Sequence, residues 1–167
     1  MLREWRTMRA PVAGGACVDI FTAVKTVYSK YATFSGRASR AEYWYFFLFT
    51  IIAGAALSAI DTALASAFSI ANFLPNIAVA VRRLHDTNRS GKLMIALTLV
   101  GVALLFVIIV SFAVGLYGAV SDVSDAATGG GIGYLVGVVL FVALAIYWIY
   151  LMAKRGDKGP NRFGTPS

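Results

Sequence analysis

The sequence predicts an all-α integral membrane protein, a four-helix bundle with both termini in the cytoplasm, preceded by a cytoplasmic amphipathic helix. Three observations carry this reading. Of 167 residues, 59% are hydrophobic and only 14% are charged, against roughly 45–50% and about 25% in soluble domains. Four long blocks carry no charge: Tyr43 to Ile60 (18 residues), Thr62 to Val81 (20), Leu93 to Ser121 (29) and Ala126 to Ala153 (28). The basic residues are confined to three segments that alternate with two purely acidic connections.

A hydrocarbon core of about 30 Å needs roughly 20 apolar helical residues to cross it. Each block therefore reads as one spanning helix, because helices and closed barrels alone satisfy their backbone inside lipid. Barrel strands would be runs of about 10 alternating residues, which these blocks are not. The four helices are expected near residues 43–62, 64–84, 92–118 and 132–154, within a single membrane domain covering 18–166.

Charge sets the orientation. Residues 1–42 hold seven Lys and Arg, residues 82–92 hold four, and the tail after Ala153 holds four. The remaining connections carry only Asp61 in one and Asp122 and Asp125 in the other. Positive residues stay cytoplasmic, so both termini and the 82–92 connection are expected inside. That face carries a net +10 against −3 opposite, within a chain total of +7. The excess follows membrane topology, so it does not point to nucleic acid.

The elements follow in order. Residues 1–17 are Arg-rich without apolar rhythm and are expected to be an unstructured or non-native extension; a start at Val18 opens directly on VDIFTAVKTVYSKY. No cleavable signal peptide is expected, and the PVAGGAC stretch ending at Cys17 lacks the apolar run that a lipoprotein site needs. One cysteine excludes an internal disulfide and a cysteine-based zinc cluster. From Val18 to Phe34, Ile20, Phe21, Val24, Val27, Tyr28, Tyr31 and Phe34 recur at helical spacing with Lys25 and Lys30 off the stripe. Such a helix either lies along the inner leaflet or packs on the cytoplasmic ends of its own bundle.

Ser39 and Glu42 fit a capping box, with Ser39 closing free N–H groups and Glu42 reaching back. Tyr43, Trp44 and Tyr45 then form an interfacial aromatic belt. In the second span Asn72 and Asn76 share a face and are expected to bridge helices; lining a polar path is the alternative. Pro75 removes a backbone hydrogen bond and should kink that helix. Arg82 and Arg83 can snorkel from its end. The stretch SDVSDAATGGGIG at 121–133 reads as a flexible turn, and Gly133 and Gly137 form a small-xxx-small pair for close packing.

Three motifs stand out: YATFSGRASRAEYW at 31–44, LPNIAVAVRRLHDTNRSG at 74–91 and GPNRFGTP at 159–166. Together they resemble the bacterial domain-of-unknown-function family 805, small inner-membrane proteins, over roughly Val18 to Pro166. The chain departs from that pattern at Lys92, where an aromatic residue is usual, at Thr165–Pro166, and in a longer Gly115–Tyr150 segment. The resemblance implies a multi-pass protein of the bacterial inner membrane and implies no activity.

By this topology Arg37, Arg40, Glu42, Arg82, Arg83, His85, Asp86, Arg89, Ser90, Gly91, Asn161, Arg162, Phe163 and Gly164 meet on one cytoplasmic face. Three uses compete. Glu42 and Asp86 can pair with the arginines and lock the helix ends. The arginines can bind anionic lipid or a partner, each juxtamembrane base contributing about 1 kcal/mol; a second copy of the chain or another membrane protein is the further partner class. Or His85, Asp86 and Ser90 can serve a membrane enzyme or small-solute transporter. The third use is disfavoured: neighbours on a helix point apart, no second histidine offers a metal site and no nucleophile stands beside a base. The expectation is a structural or binding module contacting anionic lipid, not an enzyme, with no cofactor.

Overall fold

The computed structural model describes residues 19–165; the 1–17 extension and Pro166 lie outside them. Five helices follow in order: α1 Ile20–Ser29, α2 Arg40–Ile60, α3 Thr62–Asp86, α4 Lys92–Val120 and α5 Ser124–Ala153. The last four are long and apolar enough to cross a membrane. They pair as two antiparallel hairpins, α2 with α3 and α4 with α5, which join at the end carrying the basic segments.

The first hairpin turns on a single residue. Asp61 closes α2 by donating its N–H to the Leu57 carbonyl at 2.9 Å, while its carboxylate accepts from the Ala63 and Leu64 amides at 2.6 and 3.0 Å to open α3. The second hairpin turns at 121–123, and here the sequence expectation is corrected. The glycine-rich stretch is helix, and α5 begins at Ser124 rather than near 132. A Cβ on Gly118 would lie 2.2 Å from the Ala127 backbone nitrogen, and one on Gly130 would lie 2.2 Å from that of Gly115. The two backbones touch. Glycine costs about 1 kcal/mol in a helix interior, but close backbone approach is what holds helices together in lipid, and an unsatisfied backbone group there costs several kcal/mol. Gly133 and Gly137 do form a close-packed pair of positions, against Ser111 and Ile108.

Helix α1 is shorter than its apolar stripe and packs on its own bundle. Asp19 caps it, and hydrogen bonds from Thr22 hold the Asp19 carboxyl below its ordinary value. Ala23 and Val27 are buried, and Tyr28 sets its ring edge-on to Phe46 and Phe49, with centroids 5.5 and 6.3 Å apart. Phe21, Lys25 and Lys30 face outward.

The proline in α3 explains why α1 docks there. Pro75 has no N–H, which leaves the Ala71 carbonyl, four residues earlier, without its helical donor. The Tyr31 hydroxyl donates to that carbonyl. One turn away, Tyr28 donates to Asn72 Oδ1 at 2.7 Å. Of the two asparagines, Asn72 thus links elements, whereas Asn76 donates to the Asn72 carbonyl within its own helix at 2.8 Å.

The core lies at the basic end. Val27, Ala38, Tyr43, Phe46, Val79, Leu84, Leu151 and Met152 are buried together, with Met94, Leu97 and Trp148 packed against them. Away from it the outer faces of α4 and α5 are exposed, as lipid-facing surfaces are.

Tyr31→Phe should cost about 1 kcal/mol, the net worth of one hydrogen bond, in reversible unfolding from mild detergent. In a Pro75→Ala background, where the Ala71 carbonyl regains a helical donor, the same change should be nearly silent. Equal costs in both backgrounds would show that Tyr31 does not serve the proline break.

Candidate functional site

The site is the last turn and a half of α3, wrapped by the strap at 30–39 and the tail at 154–164. The turn that ends α3 is local chemistry. The Thr87 and Arg89 amides donate back to the Leu84 carbonyl at 3.1 and 3.0 Å, and Asn88 takes a left-handed φ of 58°, a conformation asparagine tolerates better than most residues. The chain then reverses into α4.

Arg82, Arg83, Leu84, His85 and Asp86 are all buried. Successive helical residues point about 100° apart, so five consecutive buried positions can be satisfied only if protein surrounds the helix on every side. It does. Arg82 Nη1 pairs with Glu42 Oε1 on α2 at 2.6 Å. Arg83 reaches the end of α5, donating from Nε to the Met152 carbonyl at 3.0 Å and from Nη2 to the Lys154 carbonyl. His85 places Nδ1 3.2 Å from the Gly36 carbonyl and stacks on Phe163, with centroids 3.9 Å apart and planes 5° off parallel.

Asp86 is held between two arginines. Arg37 Nε donates to its Oδ1 at 2.8 Å with Nη2 2.7 Å from the same oxygen, and Arg83 Nη1 pairs with Oδ2. Arg37 also ties down the tail, donating from Nη1 to the Gly159 carbonyl at 2.8 Å and from Nη2 to the Asp157 carbonyl. The Asp157 amide returns a bond to the Asp86 carbonyl at 2.9 Å. Asn161 Nδ2 donates to the His85 carbonyl at 3.0 Å, and Asn161 and Gly164 form a two-residue antiparallel bridge. Arg162 donates to the Asn88 carbonyl at 2.9 Å and covers the Phe163 ring.

Three sequence expectations are corrected here. Glu42 does not complete a capping box: Ser39 Oγ accepts from the Glu42 amide at 3.1 Å, but the Glu42 side chain turns to Arg82. A buried guanidinium without a carboxylate would be far costlier than an unfinished cap. Arg82 and Arg83 do not snorkel; they are 1% and 0% exposed. Tyr43 is buried rather than belt-forming, and it accepts from Trp148 Nε1 at 3.4 Å.

Of the predicted residues, Arg37, Glu42, Arg82, Arg83, His85, Asp86, Asn161, Arg162, Phe163 and Gly164 come together. Arg40 is exposed at the start of α2, and Arg89 lies at the edge, donating to the Tyr147 hydroxyl at 3.1 Å. Ser90 makes no hydrogen bond to His85 or Asp86 among the described residues. Gly91 serves packing, since a Cβ there would stand 3.0 Å from Val81. Asp157 and Gly156 were not foreseen. A Cβ on Gly156 would fall 1.8 Å from Asp86 Oδ2; a glycine beside an acid in a turn-rich tail was the available signal. The carbonyls of Gly36, Met152, Lys154 and Gly159 had none, because any residue supplies a carbonyl.

Three guanidiniums thus face two carboxylates in a buried cluster. Arg82 Nε and Nη2 find no acceptor among the described residues. No described group of three His, Cys, Asp or Glu side chains could hold a metal.

Four spans with an arginine–carboxylate cluster closing one end define a small multi-pass helical membrane protein. The profile of the family described as "Protein of unknown function (DUF805)" matches residues 31–165, and the chain belongs to that family. Inner membrane protein YhaI of Escherichia coli (strain K12) is 45% identical over 73 residues, 40% of this chain and 62% of the relative. Inner membrane protein YhaH of the same strain is 41% identical over 76 residues, 39% of this chain and 63% of the relative. The match thus spans less than two thirds of either relative. No solved structure matches the chain.

Gly156→Ala should lower folded yield, at an overpacking cost of about 1–3 kcal/mol, while Gly159→Ala, with no atom near its added Cβ, should behave as wild type in detergent unfolding. Glu42→Ala should cost about 3–5 kcal/mol by stranding Arg82, against about 1 kcal/mol for Ser39→Ala. Equal losses for the last pair would mean that Glu42 acts only as a cap.

Proposed function

We propose that this chain is a non-catalytic multi-pass module of the inner membrane, with both termini and the 82–92 connection in the cytoplasm. Its arginine cluster is a structural lock, and its exposed bases engage anionic lipid. One observation carries the reading: Arg37, Arg82 and Arg83 are committed to internal carboxylates and carbonyls, while Arg40, Lys92, Lys154, Arg155 and Lys158 stay exposed around them. A lock and a charged rim are thereby separate sets of residues.

The convergence of all described basic segments on one end of the helices supports the orientation. His85 is held by a carbonyl and an aromatic face, neither of which offers proton-transfer chemistry, and this supports the non-catalytic reading.

In mixed micelles of phosphatidylglycerol and phosphatidylcholine, the wild type should retain phosphatidylglycerol preferentially. Lys154→Gln/Arg155→Gln/Lys158→Gln should weaken that preference by about 1 kcal/mol per charge without changing thermal stability, whereas Arg83→Ala should lose folded protein. A C-terminal reporter should resist external protease in intact cells. An undiminished preference in the triple variant, or a digested reporter, would refute the proposal.

A further inference from the structure

The geometry points to a seat for one inner-leaflet anionic phospholipid, its acyl chain in the groove between α3 and α4 and its phosphate at Arg89 and Lys92. The inference rests on the lipid-binding reading above and gives it a place.

The groove holds about 410 Å³ and is lined by Ile77 and Val81 of α3, Ile95 and Leu99 of α4, and Phe34 of the strap. It begins at Gly91, where the helices nearly touch because a glycine stands against Val81. From Gly91 to Leu99 is eight residues of helix, about 12 Å at 1.5 Å per residue. Half of a 30 Å hydrocarbon core is about 15 Å, so the groove has the depth of one leaflet. Ile95 and Leu99 are 63% and 65% exposed; none of the described residues covers them.

Charge selects the headgroup. Lys92 follows Gly91 at the mouth, is exposed, and enters no ion pair among the described residues. The Arg89 guanidinium has the Tyr147 hydroxyl of α5 as its one described hydrogen-bond partner. The nearest acid in sequence, Asp86, is neutralised by Arg37 and Arg83. Lys92, next to Gly91, and Arg89, two residues before it, therefore set two positive charges beside the Gly91 end of an apolar slot, which is the complement of an anionic lipid. A spanning helix from a second copy fits less well, since it would need a full 30 Å of surface where this groove runs for about half.

The test is native mass spectrometry of the full chain in mild detergent, titrated with dioleoylphosphatidylglycerol or dioleoylphosphatidylcholine. The wild type should hold one phosphatidylglycerol tightly. Ile95→Trp, which fills the groove at an exposed position and leaves the charge unchanged, should abolish that tight binding, and Leu99→Trp should do the same independently. Arg89→Gln/Lys92→Gln should weaken it about fivefold per charge removed. Soluble glycerophosphoglycerol at equal concentration should not compete.

If both tryptophan variants keep the tight lipid while the tail triple variant loses its phosphatidylglycerol preference, the seat is wrong and the surface reading stands. If no variant or wild type prefers phosphatidylglycerol, both are wrong. Competition by the soluble headgroup, or a wild-type dimer abolished by Ile95→Trp, would equally overturn the seat.

Discussion

The structure depends on one carboxylate. Asp86 ends α3, and its two oxygens hold Arg37 from the strap and Arg83 from the same helix. Through those arginines it holds much more: Arg37 carries the tail carbonyls of Asp157 and Gly159, and Arg83 carries the last carbonyls of α5. A buried arginine needs acceptors for five N–H groups, and a lone carboxylate cannot supply them. Backbone carbonyls at chain ends can, because the last turn of a helix and a tight tail leave them without helical partners. The cluster is thus a device that consumes orphaned carbonyls and buried charge together.

Its position follows from the solvent. In the bilayer interior apolar side chains gain nothing by leaving lipid for one another, so helix pairs there rely on close backbone contact. The α4–α5 hairpin does so, with Gly115, Gly118 and Gly130 bringing backbones into contact. The two hairpins have no such seam with each other. They meet at the end that carries the basic segments, and there ion pairs, aromatic packing and a small apolar core join them. Buried ion pairs contribute little net stability but fix a single arrangement when every alternative strands a charge. This accounts for a polar joint at the one end where two separate hairpins must be held in register.

The same arrangement separates two kinds of basic residue that look alike in a sequence. Arg82 and Arg89 lie seven positions apart on one motif, yet Arg82 is 1% exposed and paired with Glu42, whereas Arg89 is half-buried, enters no described ion pair and donates from its guanidinium to the Tyr147 hydroxyl. Membership of a family of unknown function does not distinguish them, and neither does composition. Burial does, and it moves the weight of any lipid contact from the arginine pair to the residues around it.

The sequence by itself determined the helix count, the spans and the clustering of basic segments at one end. Each of these follows from hydropathy, charge and the cost of unsatisfied backbone in lipid, which are properties of residue types in order. It also made legible that Arg37, Glu42, Arg82, Arg83, Asp86 and Asn161 belong to one site, because topology alone brings their segments together. Only the tertiary structure decided which of them pair. Whether Glu42 bonds its own helix or Arg82, whether GGG is a loop or a contact, and why Gly156 must be glycine all depend on distances between elements remote in the chain. The acceptors that complete the cluster are backbone carbonyls, which every residue carries, so no residue type could announce them.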